Sequence, residues 1–318
     1  MPANPEPTEY DCYGKVTPLT ISWSRINDWA KCKHRVKLIF QGKRSRLTNA
    51  RNFLAGNLTD FTMRHALENA TKDDEGRLLS LTMDDLLAPL PDKWDYIINN
   101  PDKNTVLKWD PLNPQEDQKK IYRKAVDTLE KLHPILERNL MGRRFIPEFR
   151  PKEMPIIGIP GPYGETAWIR LFLAVDCAVQ VEEDPDNPRG IGKWALYDLK
   201  TTSSIEYINK TLPQLVFYDI GFKALTGSRP VKHGLWAPLL DTPEIGTTVT
   251  DEHRDMVTNW IITYCHSVWA GESDFTKDPT NCYNCPTRSA CPKVTQPLTK
   301  DKQGISRVYF GQSEGMLQ

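Results

Sequence analysis

The chain has 318 residues, enough for one large or two ordinary domains with a sizeable core. Its 41 basic and 41 acidic side chains cancel, so any binding to a polyanion must rest on a local patch. No stretch nears the ~20 apolar residues of a membrane helix, and the opening Met1-Pro-Ala-Asn-Pro-Glu-Pro7 is not expected to act as a secretory signal.

Residues 1–20, polar and punctuated by proline, read as a loose arm. Thr20 to Phe40 reads as one helix. Ser22 or Ser24 is its N-cap, and Ile26, Trp29, Val36 and Ile39 recur at helical spacing. A second amphipathic helix over 50–70 carries His65. The Asp-, Asn- and Pro-rich stretch 71–112 reads as an insertion of short elements within a helical region spanning 21–144. Asn113-Pro114 opens a long helix with an apolar stripe of Tyr122, Val126, Leu129, Leu132 and Leu136.

From Phe145 to residue 250 the texture is that of a sheet with one helix. Thr166–Val181 and Lys193–Thr202 are dense in β-formers and read as paired strands across a turn-rich loop. Pro213 opens a helix that stops before Gly227, and His233–Leu239 is a further strand. Asp251–Trp269 is a helix leading into a cysteine loop that closes at 293, and 294–318 is a tail.

Seven cysteines without a secretory signal imply a reducing compartment, the cytoplasm by default, and favour metal ligation over disulfides. Cys282, Cys285 and Cys291 form CxxC plus a third thiol six residues on. One short loop of this spacing wraps thiolates around Zn²⁺ or an iron–sulfur cluster equally well. The fourth ligand is expected to be Cys32, some 250 residues upstream. Closing such a loop costs about 5 kcal/mol, which the ligand bonds must offset.

A second set of residues carries hydrolytic chemistry. Asp198 and Lys200 face the same side of a strand. On its own this reads more readily as a strand end emerging into water. The preceding strand, however, buries a single acid, Asp176, in a long apolar run. Two such carboxylates on neighbouring strands repel, and a divalent cation between them relieves the repulsion.

The order Asp176 … Asp198-Leu199-Lys200 resembles the signature of the PD-(D/E)xK nuclease superfamily. Gln214-Leu-Val-Phe-Tyr218 is similar to the Q-x-x-x-Y element of its RecB-like branch, and Ser22-Trp-Ser24 … Cys32 is similar to that branch's opening. One early cysteine and a late C-x2-C-x5-C set resemble the iron–sulfur members, the Cas4 exonucleases and the AddB nuclease domain.

The resemblance implies an α/β PD-(D/E)xK core, a small mixed sheet flanked by helices, with helical N-terminal additions and a C-terminal Fe–S cysteine loop. Asp176, Asp198, His65 and the Leu199 carbonyl would bind Mg²⁺ or Mn²⁺, with Glu148 a further acid for the shell. Lys200 would orient water and stabilise charge, with Gln214 and Tyr218 supporting it. Cys32, Cys282, Cys285 and Cys291 would hold [4Fe–4S], with Zn²⁺ as the alternative.

The expected activity is exonucleolytic hydrolysis of DNA, on single strands or ends, in recombination or repair of a bacterial, archaeal or phage-infected cell. With no GxxxxGK[ST] motor motif, a helicase, recombinase or single-strand-binding protein would be the partner, and an oligomer is compatible with this. Rival readings are a non-catalytic DNA-binding or assembly module and a zinc-stapled endonuclease. The basic stretch with Lys31, Lys33 and Arg35, flanked by Trp23 and Trp29, is the expected DNA contact.

Overall fold

The computed structural model describes residues 5–43, 47–48, 51–100, 105–107, 109–182, 192–275, 282 and 285–292. Expected features at 184–190 and 294–318, and the basic residues Arg44 and Arg46, lie outside these. In chain order, β1 (Glu9–Asp11) and β2 (Val16–Pro18) form an antiparallel hairpin within the expected loose arm. β3 (Thr20–Ile21) precedes α1 (Trp23–Lys31) and α2 (Lys33–Phe40).

The single helix expected over Thr20–Phe40 is therefore two, broken at Cys32, where φ −170° and ψ 114° are extended. Ile26 and Val36 are both buried, so apolar spacing continues across the break and periodicity does not reveal it. β4 (Leu47–Thr48) and α3 (Arg51–Asn69) follow, then β5 (Thr71–Lys72), β6 (Leu78–Ser80), α4 (Met83–Leu87), α5 (Leu90–Asn99) and β7 (Thr105–Val106). These short elements match the insertion expected over 71–112. α4 starts at a capping box in which the Thr82 hydroxyl accepts from Asp85 N at 3.1 Å and Asp85 accepts from Thr82 N at 2.9 Å.

The long helix is α6 (Pro114–Leu140), with Leu129, Leu132 and Leu136 fully buried. Next come β8 (Phe145–Phe149), β9 (Ile156–Pro160), β10 (Thr166–Leu171), β11 (Val175–Glu182) and β12 (Lys193–Leu199). α7 (Ile205–Asn209), α8 (Leu212–Thr226), β13 (Lys232–Trp236), β14 (Glu244–Thr247) and α9 (Asp251–Trp269) complete the order. Gly227 ends α8 in the left-handed region at φ 84°, where only glycine is unstrained. No helix among the described residues is long and apolar enough to cross a membrane.

The fold is mixed α/β. A five-stranded sheet has the order β14-β13-β12-β11-β8, antiparallel except for the β12–β13 pair, which α8 connects as a crossover. The β-dense run Thr166–Val181 splits between two sheets. β10 pairs with β3 and β9 in a separate three-stranded sheet, and β11 joins the larger one. Phe172 N still donates to Ile21 O at 2.7 Å, so the chain leaves the small sheet only after that residue.

Two apolar layers sandwich the larger sheet. One holds α3, α4 and α6 against Cys177, Ala195, Tyr197 and Trp236. The other holds α1, α2, α8, α9 and the small sheet against Ala178, Leu196 and Leu235.

Asp219 of α8 is fully buried and ties this second layer together. It pairs with Arg229 at 2.6 Å, Arg254 of α9 at 2.9 Å and His233 of β13 at 3.2 Å. Burial pushes its carboxyl up, but His233 and Arg254 outweigh this and hold it at about 2. A depressed carboxylate gives stability that is complete above the unfolded value near ~4 and is lost as pH falls toward the folded one. Asp219→Asn should therefore cost about 3 kcal/mol at pH 7. In urea unfolding, its stability should also fall less than that of the native chain between pH ~4 and ~2.

Candidate active site

The sequence dictates a charged cluster at the C-terminal end of β12. Cys177 pairs with Tyr197, and continuing that register by one residue sets Asp176 opposite Asp198. On the other side Val175 faces Phe149 and Cys177 faces Pro147, which sets Glu148 opposite Asp176. Three acids thus stand abreast on three neighbouring strands. Asp198 is 2 % exposed, in a strand that after Lys193 is otherwise Trp, Ala, Leu and Tyr.

Each charge has defined partners. Lys200, just past β12, forms an ion pair with Asp198 Oδ2, which is buried and accepts no aligned hydrogen bond. The Leu199 N–H donates to Asp176 Oδ2 at 2.6 Å. From α8, the Gln214 amide nitrogen donates to Asp198 Oδ1 at 3.1 Å and to the Tyr218 hydroxyl at 2.6 Å. Gln214 Oε1 accepts from Lys200 Nζ at 3.4 Å. Residues 214 and 218 lie one turn apart and so present a common face. The expected grouping of Asp176, Asp198, Lys200, Gln214 and Tyr218 is therefore a contiguous network.

Burial, then the Asp198 and Asp60 charges, push the Asp176 carboxyl well above the usual carboxylate range. Lys200 and the Leu199 N–H only partly oppose this. Burial and the same two strand carboxylates push the Tyr218 phenol up as well. This is an excess of negative charge in a desolvated site, the condition a cation relieves.

The structure does not bring His65 to this group. Its side chain is exposed on α3. Asp60 of the same helix is the residue in electrostatic reach, and sequence reasoning missed it. Burial raises the Asp60 carboxyl most, Arg64 lowers it, and Glu148 and Asp198 add to the rise. His65 is five positions further on, about 140° around the helix, and so points elsewhere. Gly56 gives the available signal. A Cβ there would lie 2.7 Å from Thr201 Oγ1, so the glycine lets α3 touch the end of β12 and aims the residue one turn later at the site.

Glu148 is ion-paired with Arg64 and, at 2.7 Å, with Arg150. Its φ of 48° is left-handed, a strained setting for a residue other than glycine.

The expected DNA contacts are placed differently. Trp23 stacks on Trp260 at 5.9 Å and meets Phe217 at 6.3 Å. Trp29 donates to Ser267 Oγ at 2.8 Å. Lys33 pairs with Glu272 and Asp274, and Arg35 with Asp28 at 2.8 Å. Trp23, Trp29 and Lys33 thus join the N-terminal helices to α9 and the residues after it, while Arg35 pairs α2 with α1.

The four cysteines do converge. Cys32, Cys282, Cys285 and Cys291 line one small cavity of about 20 Å³, together with Lys31, Arg35 and Arg288. Cys32 lies at the α1–α2 break, and His34 N donates to Asp274 O at 3.1 Å beside it. Among the described residues no three His, Cys, Asp or Glu side chains are drawn together as a ready single-ion site. The thiols surround a space without closing on a point. Cys177 and Cys265 are fully buried in the cores, and burial raises both thiols.

Compared with models of known families and with curated proteins, the sequence matches none. The geometry of the site therefore carries the functional argument.

The raised Asp176 carboxyl makes the native state bind a proton that the unfolded chain releases at lower pH. Its ionisation thus weakens the fold as pH rises above ~4. Asp176→Asn should be more stable than the native chain at pH 7.5 without divalent ions, with the gap closing toward pH 4. Saturating Mn²⁺ should raise the native melting temperature and leave the variant unmoved. Equal Mn²⁺ stabilisation of both proteins would show that the paired acids are not the cation site.

Proposed function

We propose that the chain is a metal-dependent deoxyribonuclease of the PD-(D/E)xK type, acting on single strands or DNA ends. The observation that carries this is the convergence of Asp176, Asp198, Lys200 and Gln214 at the end of a paired β11–β12 unit. The topology supports it. β8, β11 and β12 are neighbouring antiparallel strands, and α8 then crosses to the parallel β13.

The residues fit a divalent cation by their chemistry. Asp198 Oδ2 is buried and lacks a hydrogen bond, Asp176 is held protonation-prone by its neighbours, and both are hard oxygen donors. Asp176 and Asp198 would hold the ion, with the Leu199 carbonyl beside them and Asp60 in the surrounding field. When bound, Mg²⁺ or Mn²⁺ acidifies water and polarises the phosphoryl oxygen. Lys200, held by Asp198 and Gln214, orients the attacking water and stabilises charge developing on phosphate. Gln214 fixes Lys200 and Asp198 at once, and Tyr218 fixes the Gln214 amide so that its oxygen faces Lys200. The Leu199 N–H orients Asp176 from the backbone, so these positions are set before substrate arrives.

Lys200→Ala and Asp198→Ala should each lower Mn²⁺-dependent hydrolysis of end-labelled single-stranded DNA by about a thousandfold. Gln214→Ala should lower it about tenfold, with circular dichroism unchanged in all three. Undiminished activity in both Lys200→Ala and Asp198→Ala would move the chemistry elsewhere. A chain that binds DNA but never cleaves it would point to an assembly module.

The four-thiol cavity is assigned to [4Fe–4S]. The soft donor set suits it, and Lys31, Arg35 and Arg288 around the cavity offset the negative charge of four thiolates. Purified protein should be brown, with visible absorbance bleached by dithionite and lost in Cys285→Ala. Colourless protein with stoichiometric zinc would overturn the cluster in favour of a zinc staple.

A further inference from the structure

We infer that the cleft between α5 and α6 is a stacking site for an unpaired nucleobase of a single strand, which extends the substrate track beyond the carboxylate site. This deepens the nuclease reading and rests on it. The cleft measures about 490 Å³, within the ~300–1,000 Å³ of small-ligand pockets. Trp94 and Tyr122 meet edge to face in its wall at 5.6 Å and 82°, and Trp109 backs Trp94 at 6.4 Å. Both lining rings pack partly against the helical core, so their orientation is fixed while one side of each borders the cleft. Fixed aromatic faces bind bases of any sequence by stacking.

The other lining groups suit a nucleotide rather than an apolar peptide. Lys119 and Arg123 stand one turn apart on α6, and the Gln118 amide lies beside them, with Asp95 the single acid. Lys119 also pairs with Glu116 at 2.9 Å, an exposed contact worth little that a backbone phosphate can replace, and Arg123 stands one turn further along. The tryptophans that sequence reasoning favoured, Trp23 and Trp29, are committed to internal packing. Trp94 instead lines an open cleft, together with Tyr122.

Topology connects the cleft to the acids. β4 leads into α3 and β7 leads toward α6, and these two strands pair in parallel. At the other end the β5–β6 hairpin follows α3, while Leu78 bridges to Met141 just past α6. The helices therefore run in the same direction, with their N-terminal halves at one end. The N-terminal half of α3 carries Gly56 against Thr201, just past β12, and Asp60 follows at mid-helix within electrostatic reach of Asp198. α6 has 27 residues to the 19 of α3, so its first turns overhang by about 12 Å, and these turns line the cleft.

The test uses the full chain carrying Asp198→Ala, in EDTA, with a fluorescein-labelled oligothymidylate followed by anisotropy. Trp94→Ala should weaken binding about tenfold, and Trp94→Phe should restore most of it. Lys119→Glu/Arg123→Glu, both exposed and outside the core, should weaken binding and reduce the salt slope by about 1.4. Unchanged affinity in Trp94→Ala overturns the stacking site, as does failure of the parental chain to bind the oligomer. If Trp94→Ala does not fold, the charge-reversed variant decides, and an unchanged affinity and slope there overturn the site. Hydrolysis by the unmutated chain is measured separately. Its absence alongside Trp94-dependent binding would sink the nuclease reading and leave the stacking site standing.

Discussion

The buried ion pair of Asp198 and Lys200 sets the terms for the rest of the structure. A carboxylate taken out of water loses several kcal/mol of solvation unless charge and hydrogen bonds replace it. Here the replacements come from two places: Lys200, the residue after the strand, and the Gln214 amide on α8. The crossover helix must therefore return in one register, with residues 214 and 218 facing the strand end. Leu215, Val216 and Phe217, buried in the same turn, fix that register by packing. Asp219 anchors the helix to α9 and β13 through a second buried carboxylate, this one matched by cations. One helix thus carries both a neutralised acid and the polar face of an under-neutralised set.

That imbalance is what separates a structural charge cluster from a chemical one. Around Asp219 the cations prevail and the carboxyl is driven low. Around Asp176 burial and like charges prevail and the carboxyl is driven high. The same fold therefore holds one acid content to stay ionised and another that resists ionisation until positive charge arrives. The strained backbone of Glu148, clamped by Arg64 and Arg150, lies on the same row of strands. Strain of this kind survives only where surrounding contacts over-determine the conformation.

Much of this was legible in the residue order, and the failures have physical causes. The helices starting at Asn113-Pro114, Pro213 and Asp251 announce themselves by proline, capping and spacing. The β11–β12 pair and the acid on each strand follow from β-propensity interrupted by single charges. The break at Cys32 was hidden because the apolar period runs through it. The split of Thr166–Val181 into two sheets was hidden because both halves are equally rich in β-formers, and only tertiary pairing divides them. Asp60 was missed because an acid on an amphipathic helix looks like solvated surface. Its relevance depends on the close approach at Gly56, a property of two elements rather than one. The ion pairing of the basic helix was equally hidden, since Lys33 finds Glu272 at a distant position that local sequence does not reveal.

The thiol cavity and the carboxylate site sit on a common mechanical path. Cys32 closes α1, whose Trp23 packs on Phe217 of α8 and on Trp260 of α9. Phe217 immediately precedes Tyr218, the residue that holds the Gln214 amide. The stretch between α9 and the cysteine loop is joined to α2 by the Lys33 pairs with Glu272 and Asp274 and by His34 N donating to Asp274 O, each worth about 1 kcal/mol or less. Such contacts do not repay the loop-closure entropy of joining segments 250 residues apart. An inorganic centre bonded to all four thiols would repay it, and would hold α1 against α8. On the proposed nuclease reading, such a cluster need carry no electrons to matter: by fixing the helix behind Tyr218, it would keep Lys200 and Asp198 aligned.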